Sequence, residues 1–194
     1  MDTMRNVDAV AGLIDTLVAG VGAEQLDDPT PCTEWSVRHL LNHLVGGGYL
    51  FAMAANGDPL GDLAPDETPD LLGDDPAAAW AGSCATVLRA FHAPGAFDRT
   101  WNLPFASVPG EIGAQIAFSD LLIHGWDLAT ATHQPYAPPP ELLTHADGVL
   151  RMIIGSDRDS HSFGPAVAVD DDAPLLDRMV AVTGRDPAWA SVVA

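Results

Sequence analysis

The sequence has 194 residues, of which 27 are acidic and 8 basic, giving a formal net charge of −19. Nucleic acids and anionic membrane surfaces attract clusters of Lys and Arg, so this balance argues against both as partners. The length suffices for a domain with its own core, and no linker-like stretch divides the chain. We therefore expect a single domain over residues 1–194.

Two cysteines, Cys32 and Cys84, are present. With so few cysteines and no basic-then-apolar leader, we expect a reducing, cytoplasmic setting without a disulfide framework. No apolar run approaches the length of a membrane span, so no membrane association is expected.

Apolar residues at helical spacing predict a first helix from about Thr3 to Ala19. Cys32 lies in the loop that follows. A helix begins just beyond it, and a helix N-terminus lowers the pKa of a nearby thiol. We nevertheless favour a packed, inert thiol at this position.

Ser36 is a natural N-cap for a second helix, which carries two histidines four residues apart. At about 100° per residue, His39 lies almost opposite the centre of the apolar stripe, whereas His43 lies near its edge. His43 is therefore the histidine expected to face the interior of a helical bundle. The glycines at 46–48 leave room one turn later, either for a ligand or for close helix packing.

Three further helices are predicted outside the central segment. One begins at Pro76 after the cap candidates Asp74 and Asp75, and places Cys84 on its inward face. Another runs from Glu141 to about residue 154, and a short last helix covers residues 174–182. Between residues 97 and 109 the pattern is typical of extended chain, with a short hairpin as one interpretation.

The segment from Gly110 to about Thr132 is apolar on nearly every side, and a helix of that kind is buried all round. Beyond its first turn, its ionisable side chains are Asp120, His124 and Asp127, all on one side. A buried carboxylate is costly unless it is paired or binds a metal. This helix is therefore the place where we look for chemistry.

Asp120 and His124 lie one helical turn apart, so both can reach one ion. The best third ligand is His43. Three nitrogen or oxygen ligands with an open fourth position are typical of a reactive zinc-type site. The alternative is a buried Asp–His pair, hydrogen-bonded to each other, that serves packing alone.

Three segments resemble a known family: Thr-Pro-Cys-x-x-Trp-x-Val-x-x-Leu-Leu-Asn-His-Leu-Val from Thr30, Asp-Leu-Leu-Ile-His-Gly-Trp-Asp-Leu-Ala from Asp120, and Gly-Arg-Asp-Pro-Ala-Trp from Gly184. The first two are similar to the two hallmark segments of the DinB-like metalloproteins, in the branch of the N-terminal domain of mycothiol-dependent maleylpyruvate isomerases. The third is similar to the usual end of that branch's short, uncharacterised metal-binding members. The resemblance implies an all-α fold, a DinB-like four-helix bundle with additional short C-terminal helices.

The resemblance also implies a divalent metal ion, zinc or nickel, bound by His43, Asp120 and His124. In the isomerases the middle ligand is Glu, and Asp120 is one methylene shorter, so its direct coordination is an open point. Asp127 is a candidate outer partner of His124, with a helix-packing or capping role as an equal alternative.

In related branches the implied chemistry is thiol activation. We therefore expect a metal-dependent transferase or isomerase that uses mycothiol or a similar low-molecular-weight thiol, with a small-molecule electrophile as the second substrate. Two alternatives remain: a non-catalytic protein that binds a small molecule or metal, and a metal-dependent hydrolase that uses bound water. The chain is expected to be a monomer or a homodimer.

Overall fold

The computed structural model describes residues 3–60, 69–157 and 163–190. It is predominantly helical, which confirms the expected all-α class. The helices are α1 (Thr3–Ala19), α2 (Val37–Asn56), α3 (Pro76–Phe91), α4 (Gly110–Ala131), α5 (Pro140–Asp157) and α6 (Leu175–Val182), and the strands are β1 (Thr100–Asn102) and β2 (Ser107–Pro109). Single 3₁₀ turns cover Ala23–Gln25 and Ala96–Asp98.

Helices α1 and α4 run parallel. Near their starts the Thr3 hydroxyl donates to Glu111. Near their ends Gln134 Nε2 donates to the carbonyl of Leu17 at 2.9 Å. Because the start of α1 meets the start of α4 and the end of α1 lies near the end of α4, the two helices run in the same direction. About 90 residues separate them in sequence.

Helices α2 and α3 are also parallel, because residues 69–71, shortly before α3, lie beside the first half of α2. The amide of Leu71, shortly before α3, donates to Asn42 Oδ1 at 2.7 Å. Beyond the end of α3, Arg99 Nη1 donates to the carbonyl of Asn56 at 2.6 Å.

The end of α3 meets the first half of α1 through His92 and Asp8. The start of α3 meets the second half of α1 through Trp80 and Asp15. The first four helices thus form a bundle in which α1 and α4 run one way and α2 and α3 the other.

The caps follow the sequence closely. Ser36 Oγ accepts from the amide of His39 at 3.4 Å, and Asp75 Oδ1 accepts from the amide of Ala78 at 3.0 Å, ahead of Pro76. These bonds satisfy amides that a helix start leaves unpaired. Both helices therefore begin within a residue of the predicted positions.

Helix α4 lies between its neighbours, as its all-round apolar surface predicts. It packs against α1 and α2 on the bundle side and against α5 on the other, and α6 packs on α5. The extended segment forms the antiparallel β1–β2 hairpin, which was one interpretation of its sequence. The fully buried Trp101 of this hairpin covers the start of α4. A methyl group at Gly113 would overlap that indole ring.

In the part of the chain that the structure describes, no helix is both long enough and apolar enough to cross a membrane.

Candidate metal centre

Three of the predicted site residues meet where α2 passes α4. His43 Nε2 lies 3.6 Å from Asp120 Oδ2, and His124 Nε2 lies 3.5 Å from Asp120 Oδ1. The centroids of the two imidazole rings are 4.7 Å apart. Helical phase brings Asp120 and His124 together, and the packing of α2 against α4 adds His43.

The spacing within this group is long for hydrogen bonds and suits donors that share an ion. Nitrogen and oxygen ligands about 2.1 Å from a tetrahedral ion lie about 3.4 Å from each other. A protein hydrogen bond has its donor and acceptor about 2.7–3.2 Å apart. Moreover, His43 Nε2 is buried and has no hydrogen-bond partner among the described residues. The donor set therefore fits a divalent ion.

The charges of the group reinforce one another. Burial alone raises the pKa of Asp120, but His124 and His43 outweigh it and hold that pKa well below its usual range. Burial likewise lowers the pKa of His124, but the neighbouring carboxylates of Asp120 and Asp127 outweigh it and raise that pKa. Asp120 is thus kept ionised, which is the form that binds a cation, whereas His124 has to release its Nε2 proton when an ion binds.

Asp127 hydrogen-bonds the far side of the His124 ring. Its Oδ2 lies 2.9 Å from His124 Nδ1, and its side chain is fully buried. Ligating histidines commonly donate their other ring N–H to a carboxylate, which fixes the tautomer and the ring orientation. Of the two roles considered for Asp127, the geometry therefore favours the outer partner of His124.

Two residues that the sequence analysis did not place at the site complete this network. Arg185 Nε and Nη2 lie 2.8–3.0 Å from the Asp127 oxygens. Cys32 Sγ lies 3.3 Å from Asp127 Oδ2 and 3.1 Å from Arg185 Nη2. Burial raises the pKa of Asp127, but His124 and Arg185 outweigh it and lower that pKa to about 2.

Cys32 is half-buried in a polar network between Asp127 and Arg185, and the inertness of its thiol stays a prediction. Its Sγ also forms a second group of metal-ligand types with His124 and Asp127. In that group Asp127 is already bound by a guanidinium. The group around Asp120 is therefore the better cation site.

The loop before α2 brings Trp35 onto the site. Its ring centroid lies 4.7 Å from that of His43 and 5.5 Å from that of His124, nearly parallel to the latter ring. The amide and carbonyl of Trp35 are held within the loop by Cys32 and Thr30. Trp35 thus covers one face of the paired imidazoles.

The centre is open on one side. The side chains of His43 and Asp120 keep 37% and 31% of their exposure, whereas His124 keeps 9%. Beside Asp120 lies an apolar cavity of about 20 Å³ between the bundle helices, room for about one water molecule. Gly47 and Gly48 line it.

The two histidines of α2 separate as helical phase predicts. His39 is exposed and its ring lies against its own cap residue, with Nδ1 3.1 Å from Ser36 Oγ. His43 faces α4. Of the glycines after His43, Gly48 permits close helix packing, because a methyl group there would overlap Ser83 Oγ. Gly47 borders open space, because a methyl group there would meet nothing within 4 Å.

Comparison with known proteins gives one family and two close relatives. Residues 7–129 match the family model described as the mycothiol maleylpyruvate isomerase N-terminal domain. Two uncharacterized proteins of Mycobacterium tuberculosis, from strains CDC 1551 / Oshkosh and ATCC 25618 / H37Rv, are each 33% identical over 191 residues. Each alignment covers 95% of this chain and 96% of the relative. No solved structure matches.

Proposed function

This chain belongs to the mycothiol maleylpyruvate isomerase N-terminal-domain family, and from that premise we propose that it is a metal-dependent enzyme acting on a low-molecular-weight thiol. His43, Asp120 and His124 bind a divalent ion, zinc or nickel. The thiol is mycothiol or a close analogue, and the second substrate is a small-molecule electrophile to which the sulfur is transferred or on which an isomerisation is carried out.

One observation carries this proposal. The Nε2 atoms of His43 and His124 both face the Asp120 carboxylate, at 3.6 and 3.5 Å, and the first of them is buried without a hydrogen-bond partner among the described residues. A group of this kind is costly to bury unless something pairs with it. A cation at the point that the three side chains share removes that cost.

The residues present divide the chemistry among themselves. When bound, a divalent ion at this centre lowers the pKa of a coordinating thiol, so that the thiol reacts as a thiolate near neutral pH. Asp120 supplies negative charge to retain the ion. Trp35 shields one face of the imidazoles from water, while the partial exposure of His43 and Asp120 leaves an approach for the substrates.

The test is a thiol-transfer assay on the zinc- or nickel-loaded protein, with mycothiol and a model electrophile such as a chlorodinitroarene. We expect product formation faster than with the thiol and electrophile alone. The His43→Ala variant should lose this excess rate. The His39→Ala variant is the matched control, because it removes an exposed imidazole one turn earlier on the same helix.

The alternatives give different results in the same experiment. A binding protein without catalysis takes up the metal and the thiol but leaves the reaction rate at the level of the free thiol. A hydrolase consumes an ester substrate without any thiol. The metal content of each protein is measured before the assay. If the His43→Ala protein retains the ion as tightly as the wild type, the assigned ligands are wrong.

A further inference from the structure

We propose that Arg185, in the segment that follows α6, is a positioning residue of the metal centre: it holds Asp127 in the place from which Asp127 orients the ring of His124. This inference rests on the proposed function, since it takes His43, Asp120 and His124 as the ligands. It adds a residue that lies outside the 7–129 region matched by the family model.

The contact between Arg185 and Asp127 is a forked one. Nε lies 2.9 Å from Oδ1 and 3.0 Å from Oδ2, and Nη2 lies 2.8 Å from Oδ2. A guanidinium that meets a carboxylate through two nitrogens fixes the angle of the carboxylate as well as its distance. Arg185 therefore determines where both Asp127 oxygens lie.

Asp127 needs this partner because its side chain is fully buried. Its oxygens contact Arg185, the Nδ1 of His124 and the thiol of Cys32. Removing one member of a buried ion pair leaves an uncompensated charge, which is strongly unfavourable in a protein interior. Without the guanidinium, both Asp127 oxygens lose the contacts that fix their positions, and the carboxylate is free to rotate.

The orientation of His124 follows from that of Asp127. An ionised carboxylate only accepts hydrogen bonds, so the Nδ1 atom 2.9 Å away carries the hydrogen. In the neutral ring the lone pair then lies on Nε2, the atom that faces Asp120. The chain of contacts from Arg185 through Asp127 thus presents the metal-binding nitrogen of His124.

The backbone conformation before Arg185 determines the position of its side chain. Gly184 has φ of +93°, and a methyl group there would come within 2.7 Å of Gly164 Cα. The amide of Arg185 donates to the carbonyl of Val180 at 3.1 Å. The chain therefore turns sharply at the end of α6, and the turn aims the guanidinium at α4.

The experiment measures the dissociation constant of zinc, by competition with a chromophoric chelator, and the visible absorption spectrum of the cobalt-loaded protein. The variants are Arg185→Gln, Asp127→Asn, the double variant and Arg185→Lys. Arg178→Gln is the matched control, because Arg178 is half-buried in α6 and donates to the carbonyls of Asp171 and Ala173. Circular dichroism of each metal-free protein verifies the fold.

We expect Arg185→Gln and Asp127→Asn each to weaken zinc binding by about 10- to 100-fold, as outer partners of metal-binding histidines do elsewhere. The double variant should be no weaker than the weaker single variant, because Arg185 acts through Asp127. Arg185→Lys keeps the charge without the fork, so it should recover part of the affinity and still alter the cobalt spectrum. Arg178→Gln should bind like the wild type.

Two results would overturn the inference: wild-type affinity and cobalt spectrum in folded Arg185→Gln, or losses that add in the double variant. If Arg185→Gln does not fold, Arg185→Lys decides, and an unchanged cobalt spectrum in that variant is contrary to the inference. The proposed function fails separately. It fails when His43→Ala leaves zinc affinity unchanged, whatever the Arg185 variants do.

Discussion

Asp120 has the central place in the candidate metal centre, because its two carboxylate oxygens each face one imidazole. Its side chain is shorter than the Glu expected from the resemblance, yet it reaches both histidines. We therefore expect Asp120→Asn, which keeps the shape but loses the charge, to weaken zinc binding by more than the roughly 100-fold limit for outer partners. Chelator competition measures this change.

The control for Asp120 is Asp147→Asn, which removes a carboxylate that pairs with the exposed Arg151 on α5, one turn along. That variant should bind zinc like the wild type. If Asp120→Asn also binds zinc normally, the two imidazoles hold the ion without Asp120, and the carboxylate has only a packing role.

Cys84 should be unreactive in the folded protein. Burial raises the pKa of its thiol to about 11, with smaller contributions from Asp15 and Asp8. The thiolate is the reactive form, so iodoacetamide at pH 8 should leave Cys84 unlabelled until guanidinium unfolds the chain. Peptide mass mapping of the wild type measures this. Rapid labelling of Cys84 without denaturant would contradict the prediction.

The raised pKa of Cys84 also makes the stability of the protein depend on pH in the alkaline range. The unfolded chain ionises this thiol near its ordinary pKa of 9, whereas the folded protein retains the proton until about pH 11. The folded state therefore binds more protons over that interval, and the thiol's contribution to stability falls as the pH rises from 9 to 11.

At the scale of elements, two adjacent glycines on α2 allow a matched pair of alanine substitutions, one into open space and one into a packed contact. Gly47→Ala meets open space and gains helix propensity, so it should stabilise the protein by about 1 kcal/mol. Gly48→Ala overlaps Ser83 Oγ, which donates to the Val45 carbonyl at 2.6 Å. Losing that buried bond costs about 1–3 kcal/mol, which outweighs the same gain in propensity.

Urea unfolding of the two alanine variants measures the difference, with metal removed from both by chelator. We expect Gly47→Ala to be the more stable of the two by about 2 kcal/mol. Equal stabilities would mean that Ser83 finds another partner, and that the contact between α2 and α3 is looser than the structure shows.

The helices were predictable because each carries its own local signals. The Ser36 cap, Pro76 in the first turn of α3 and the nearly all-apolar α4 each fix an element from a few neighbouring residues. Local signals do not show, however, in which direction one helix runs relative to another. That α2 and α3 run parallel depends on contacts such as Leu71 with Asn42, which no periodicity reports.

At the scale of the whole molecule, the site also contains some residues that local sequence signals predict and others that only long-range contacts bring in. Helical phase was enough to select His43 over His39 and to pair Asp120 with His124. Arg185 lies 58 residues from Asp127 in sequence, and Cys32 lies 95 residues from it. Their meeting depends on how the loop before α2 and the segment after α6 pack on α4. The closing Gly-Arg-Asp-Pro-Ala-Trp segment was the one sequence signal for Arg185, and it pointed to a family rather than to a contact.

The acidity of the whole chain predicts how salt affects its stability. With 27 acidic and 8 basic residues, repulsion among like charges opposes the compact state. Salt screens this repulsion over a distance that falls from about 30 Å at 0.01 M to about 3 Å at 1 M. We therefore expect the melting temperature to rise by a few degrees between low salt and 0.5 M sodium chloride, where each 1 kcal/mol corresponds to about 2–4 °C.

Metal occupancy has to stay constant in this measurement, because a ligand that binds the folded state raises the melting temperature by itself. Both salt conditions therefore contain a chelator. Exposed pairs such as Arg38 with Asp70 weaken on screening, but such pairs contribute little. A melting temperature that falls with salt would mean instead that attraction between the eight basic residues and their acidic neighbours outweighs the repulsion among the acidic side chains.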